Sequence, residues 1–274
     1  MLTDNAFAAA AQQLPAGFLQ CYLVAMVLAV VAGTVLDMVH KGSARYFFAN
    51  MRASRAKRKR ELGGGELASI AVQTALVDVL ASGEFCNPRR RLAHLLTMYG
   101  FVLYVATTAI MVFCYPTAAA TPALLPVLWW IGALMVALGG YWFWFFIRVD
   151  VAAEGRSPLR VVKADLFVLS LVVSVTLGLL WAGMGGGAGW LFWLYLAATA
   201  VLFLGVPWSK FAHMFFKPAA AFDKRVTRAD GTAENLPTQT RDDPEQQKRH
   251  SMELLRDAPM DMGLGIKREA PRHY

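Results

Sequence analysis

Five stretches of this chain run for roughly 20 residues each with almost no charge, the length at which a helix crosses the hydrocarbon core of a bilayer. They occupy residues 18–38, 93–115, 124–147, 165–184 and 190–209. Their apolar residues are continuous rather than alternating with polar ones, which predicts helices and argues against the strands of a membrane barrel. Composition points the same way, because 57% hydrophobic and 17% charged residues leave too few charges to coat a soluble globule of 274 residues. The expected fold class is an all-α membrane protein: a five-helix transmembrane bundle within residues 1–217, then a polar tail, 218–274. No basic residue precedes the first stretch, and Asp37, His40 and Lys41 end it, so it reads as a retained helix rather than a cleaved leader.

Loop charges orient the bundle. The first connection carries Arg52, Arg55, Lys57, Arg58, Lys59 and Arg60, then Arg89, Arg90 and Arg91; the third carries Arg148, Arg156, Arg160 and Lys163. Residues 115–123 and 185–189 contain no Lys or Arg. This alternation predicts a periplasmic amino terminus, a cytoplasmic carboxy terminus and a multi-pass protein of the bacterial cytoplasmic (inner) membrane. Trp129, Trp130, Trp181, Trp190 and Trp193 are expected at the outer interface, and Trp142, Trp144 and Trp208 at the inner one.

The net charge of +8 is then assigned to topology and lipid headgroups. Nucleic acid is not an expected partner, because the basic run abuts a membrane helix and belongs to no recognisable binding fold. Cys21, Cys86 and Cys114 form no CxxC pair, which predicts neither an iron–sulfur cluster nor a zinc site in this chain. A transporter or channel is disfavoured, since no charged residue lies deep within a span.

The first cytoplasmic connection is long. After Gly63-Gly64-Gly65, residues 66–81 lack Gly and Pro, and Glu66, Ser69 and Gln73 recur at helical spacing. They predict an amphipathic helix, moderate because Asp78 breaks the pattern, lying on the membrane or beneath a partner. Ser82-Gly83 ends it. From Pro218 the chain mixes both charge signs with little periodicity, which predicts irregular structure alone and either an idle tail or a partner-binding one. Asp165 is expected to answer the positive end of the fourth helix.

Three histidines sit at expected cytoplasmic ends of spans: His40, His94 and His213. The second and fifth helices run oppositely, so His94 and His213 share a membrane depth. Two imidazoles at one depth on facing helices suit the axial positions of one haem iron. Arg89, Arg90, Arg91, Lys210 and Lys217 are candidate partners for its propionates, and Gly100 leaves room on the second helix. The other reading makes these histidines ordinary residues of the headgroup layer. Asp37 and His40, three apart, are expected on one side of the first helix. They form either a protonatable pair beside a quinone or a terminal capping pair.

Arg90, His94, Gly100 and Phe101 spell Arg-x-x-x-His-x-x-x-x-x-Gly-Phe, and residues 207–213 spell Pro-Trp-Ser-Lys-Phe-Ala-His. Both resemble the haem b membrane subunits of the respiratory nitrate reductase gamma-subunit superfamily. That resemblance implies haem b held by His94 and His213, and exchange of electrons with quinone. Tyr104, ten residues after His94, and Tyr195, eighteen before His213, stand where two-haem members carry further histidines. The resemblance therefore implies a single haem. Size, and the absence of a fused ferredoxin-like domain, are most similar to the anchor of dissimilatory adenylylsulfate reductase, a soluble flavin and iron–sulfur enzyme of sulfur metabolism. The expected role is a non-catalytic electron-transfer subunit; the alternative is a haem-free anchor that only docks a cytoplasmic enzyme.

Overall fold

In a computed structural model the chain is all-helical, with no strand among the described residues. These are residues 2–40, 42–85, 87–148, 151, 155–208, 213–232 and 245, with Ser43, Ala164, His213 and Phe215 described by backbone only. A short α1 (Ala6–Ala11) leads into α2 (Phe18–His40), which turns at Gly42, φ +60°, into α3 (Ser43–Arg55). Next comes α4 (Gly64–Gln73), continued by a wider π-helical segment, Thr74–Leu80. The apolar hairpins follow: α5 (Pro88–Cys114), α6 (Leu124–Trp142, extended by a π turn to Ile147), α7 (Leu166–Gly183) and α8 (Trp190–Leu204). After a 3-10 turn at Val206–Trp208, α9 (His213–Ala229) closes the described fold.

Four helices are long and apolar enough to cross a membrane: α2, α5, α6 with its extension, and α7. The fifth apolar run is present, but as a helix of 15 residues. Its hydrogen-bond ladder stops before Pro207, which has no N–H to donate. Residues 66–80 are helical, one residue short of the predicted 66–81, and α5 starts with Pro88 in its first turn under the Asn87 side chain, which accepts from the Arg89 and Arg90 amides.

Sequence neighbours are neighbours in space: α5 packs on α6, α6 on α7, α7 on α8, and α2 lies against α8. The α5–α6 contact is the closest. A methyl group placed on Gly100 would lie 2.7 Å from Met135 Cβ and 2.8 Å from the Gly132 carbonyl oxygen. Small residues permit such an approach where no hydrophobic effect draws helices together. Gly100 therefore seats α6; it does not leave the cofactor room the sequence suggested. Val24, Val27, Leu28 and Val31 of α2 stay exposed, an apolar exterior that water would penalise and lipid accepts.

An aromatic cluster fills the bundle beside α1. The Tyr104 hydroxyl donates to the Tyr195 hydroxyl at 2.8 Å, and both residues are buried. A methyl group on Gly178 would meet the Tyr104 hydroxyl at 2.9 Å. Trp181 stacks on Tyr195 with centroids 5.5 Å apart, and Phe7 of α1 meets the edges of Trp129 and Trp181 at 5.9 and 5.1 Å. Trp129 donates to Thr108 Oγ1 at 2.9 Å and Trp181 to the Gly187 carbonyl at 2.7 Å. These two indoles are thus core residues with their N–H groups satisfied. Trp144 is buried too, 4.2 Å from the Arg148 guanidinium; Trp190, Trp193 and Trp208 are exposed.

Arg148 and Asp165 staple the α6–α7 connection. Arg148 donates to Asp165 Oδ2 at 2.6 Å and to the Pro158 and Arg160 carbonyls at 3.0 and 2.9 Å. Asp165 Oδ2 also accepts the Val162 amide at 3.0 Å. Asp165 is thus more than a helix-end charge: it neutralises an arginine that is only 4% exposed, a charge too costly to bury unpaired.

Candidate functional site

The end of the bundle away from α1 is built on the turn after the π-helical segment. Tyr99 donates to the Leu80 carbonyl and Arg91 Nε to the Ala81 carbonyl, each at 2.8 Å, so α5 holds the turn from two points. Ser82 follows with φ +50°, the left-handed region that side chains disfavour. It is the one such non-glycine among the described residues and is 2% exposed. Its Oγ lies 3.0 Å from His94 Nδ1. The Phe85 ring sits 4.9 Å from the half-buried His94 ring, and Lys217 Nζ lies 5.2 Å from the Phe85 centroid.

The same segment receives α9. Arg225 makes a two-pronged pair with Asp78, Nε to Oδ2 at 2.5 Å and a terminal nitrogen to Oδ1 at 2.8 Å. That bond holds the guanidinium still further above its ordinary range. Asp78, which breaks the amphipathic pattern in the sequence, has its reason here. Lys224 approaches Glu84 at 4.0 Å. At the far end of α9, Arg60 donates to the Ala229 carbonyl at 2.7 Å, and the Lys59 and Arg60 amides donate to the Asp230 carbonyl. Cations suit the negative end of a helix. The irregular structure predicted from Pro218 is corrected accordingly. Pro218 lies inside α9, and a 217/218 boundary cuts that helix in two.

The residues singled out by the sequence are distributed unevenly. His94 is central. His213 opens α9, and its side chain lies outside the described set, as do Lys210, Cys86 and most of the tail. Arg89 is exposed and Arg90 half-buried, whereas Arg91 gives its Nε to the Ala81 carbonyl. Asp37 is 6% exposed, and His40, three residues on, is exposed. Asp37 lies one turn beyond Gly33, where an added methyl would be 3.0 Å from Val206 Cβ. Sequence reasoning missed Ser82, Phe85 and Arg225; the Ser-Gly pair was visible only as a helix terminator.

Residues 67–234 match the family model described as citrate utilization protein B, a match over more than half of the chain. The chain belongs to the citrate utilization protein B family. No curated protein and no solved structure matches it. The part matched to citrate utilization protein B runs from α4 to just beyond α9, so it holds the π-helical segment, the Ser82 turn, His94, α5 to α8 and the Asp78–Arg225 pair. Helices α1, α2 and α3 precede it. Within this citrate utilization protein B chain, the His94 imidazole meets the Ser82 hydroxyl through Nδ1.

Proposed function

We propose that the chain is a haem b membrane anchor that relays electrons between a cytoplasmic flavin and iron–sulfur oxidoreductase and quinone. The observation that carries this reading is the His94 ring, held at Nδ1 by the hydroxyl of a buried serine. His94 and His213 would be the axial ligands, with Arg89, Arg90 and Lys210 supplying positive charge for the propionates. Haem b, when bound, supplies reversible uptake of one electron. The mutual hydrogen bond of Tyr104 and Tyr195 supports a single haem, since it engages the two hydroxyls that stand where two-haem members carry histidines.

The reading takes five crossings, the fifth made by α8 with the Val206–Trp208 turn, in the inner membrane with the amino terminus periplasmic. The alternation of basic and uncharged connections favours it. Asp37 and His40 would form a protonatable pair beside the quinone. The name of the family favours a soluble partner that oxidises a citrate-type carboxylic acid over adenylylsulfate reductase. The second reading, a haem-free anchor, draws on exposed Val72, Leu76 and Leu80 of the cytoplasmic helix, an apolar face suited to docking.

A reduced-minus-oxidised spectrum of the purified protein decides between them. A haem b band that disappears in His94→Ala and in His213→Ala, with both variants still inserted in membranes, is the expected result. A wild-type protein without the band sinks the redox reading, and a band retained in both variants sinks the ligand assignment.

A further inference from the structure

We infer that Ser82 is a positioning residue for His94: its hydroxyl accepts the Nδ1 proton and so fixes the ring with Nε2 turned to the iron. This rests on the haem reading above and deepens it. A left-handed backbone at a turn is most easily met by glycine, and Gly83 stands next in the chain. A serine in that conformation keeps a side chain where the backbone alone would favour having none. At 2% exposure the hydroxyl is cut off from water and needs a protein partner, which His94 Nδ1 provides at 3.0 Å.

The turn that presents the hydroxyl is pinned on both sides. Tyr99 and Arg91 hold the Leu80 and Ala81 carbonyls, and the Gly83 amide donates to the Val77 carbonyl at 2.7 Å. Phe85 closes against the ring from the same turn. Such a support locks a ligand's rotamer before the metal arrives. The π-helical segment leading into the turn also grips Arg225 of α9, the helix that His213 opens. One cytoplasmic element therefore sets the orientation of one histidine and the place of the helix bearing the other.

Two variants of the full-length protein separate orientation from backbone strain. Ser82→Gly keeps the turn and deletes the hydroxyl, whereas Ser82→Asn tolerates the same φ and restores an acceptor. Donation from Nδ1 makes an imidazole a stronger ligand and favours ferric iron. Ser82→Gly is expected to weaken haem retention about tenfold or more and to raise the midpoint potential; Ser82→Asn should return both toward wild type. Haem content and redox titration of purified protein read the two effects. Unchanged values in Ser82→Gly overturn the inference alone, as do equal losses in both variants. A wild-type protein lacking the haem band overturns it together with the proposed function.

Discussion

The two ends of this bundle are stabilised by different chemistry. Beside α1, five helices contribute Phe7, Tyr104, Trp129, Trp181 and Tyr195 to one packed cluster whose polar atoms bond inside it. At the His94 end the structure relies on charge pairs, a π-helical segment and a serine in a glycine conformation. Aromatic filling fixes the shape of the bundle there. Among the described residues the one left-handed non-glycine lies at the other end, and such departures gather where function demands them.

The largest test of that contrast acts on what both ends share. Gly132→Leu forces α5 and α6 apart along their whole contact and should cost about 3 kcal/mol. Near-UV dichroism and thermal half-life in detergent measure it; a variant as stable as wild type would show that the two ends do not depend on this seam. A smaller effect should stay confined to one end. Asp78→Ala or Arg225→Ala is expected to cost about 2 kcal/mol, and the double variant little more than either single one. Proteolysis rates within α9 report that loss. Coupling below about 0.5 kcal/mol would dismiss the pair as a surface contact.

Long apolar runs were legible because a bilayer demands length and continuity, properties visible in sequence. Their packing was not. Trp129 and Trp181 read as interface residues because nothing in the sequence reveals that Thr108 and the Gly187 carbonyl wait for their N–H groups inside. The charges of α9 looked like those of an irregular tail because their partners, Asp78 for Arg225 and Glu84 for Lys224, lie far away along the chain. Of the site, His94 was legible from its place at a helix start, whereas the left-handed serine that addresses it was not, since backbone handedness leaves no mark on composition.

The smallest expected effect belongs to the aromatic end. Tyr104→Phe strands the Tyr195 hydroxyl and should cost about 1 kcal/mol, most of it recovered when Tyr195→Phe is added. The His94 end should not notice, and any change in the haem spectrum of the double variant would mean that the two regions communicate.

The seating of α1 has a consequence for biogenesis. Asn5 donates to the Tyr115 carbonyl and to Thr121, and Gln13 accepts the Ala188 amide, 175 residues further along the chain. Residues 5–13 therefore find their berth only after the last apolar hairpin, made later, is in place. What is made before the hairpins is fastened after them, and insertion must hold that short helix in waiting until there is something for it to close.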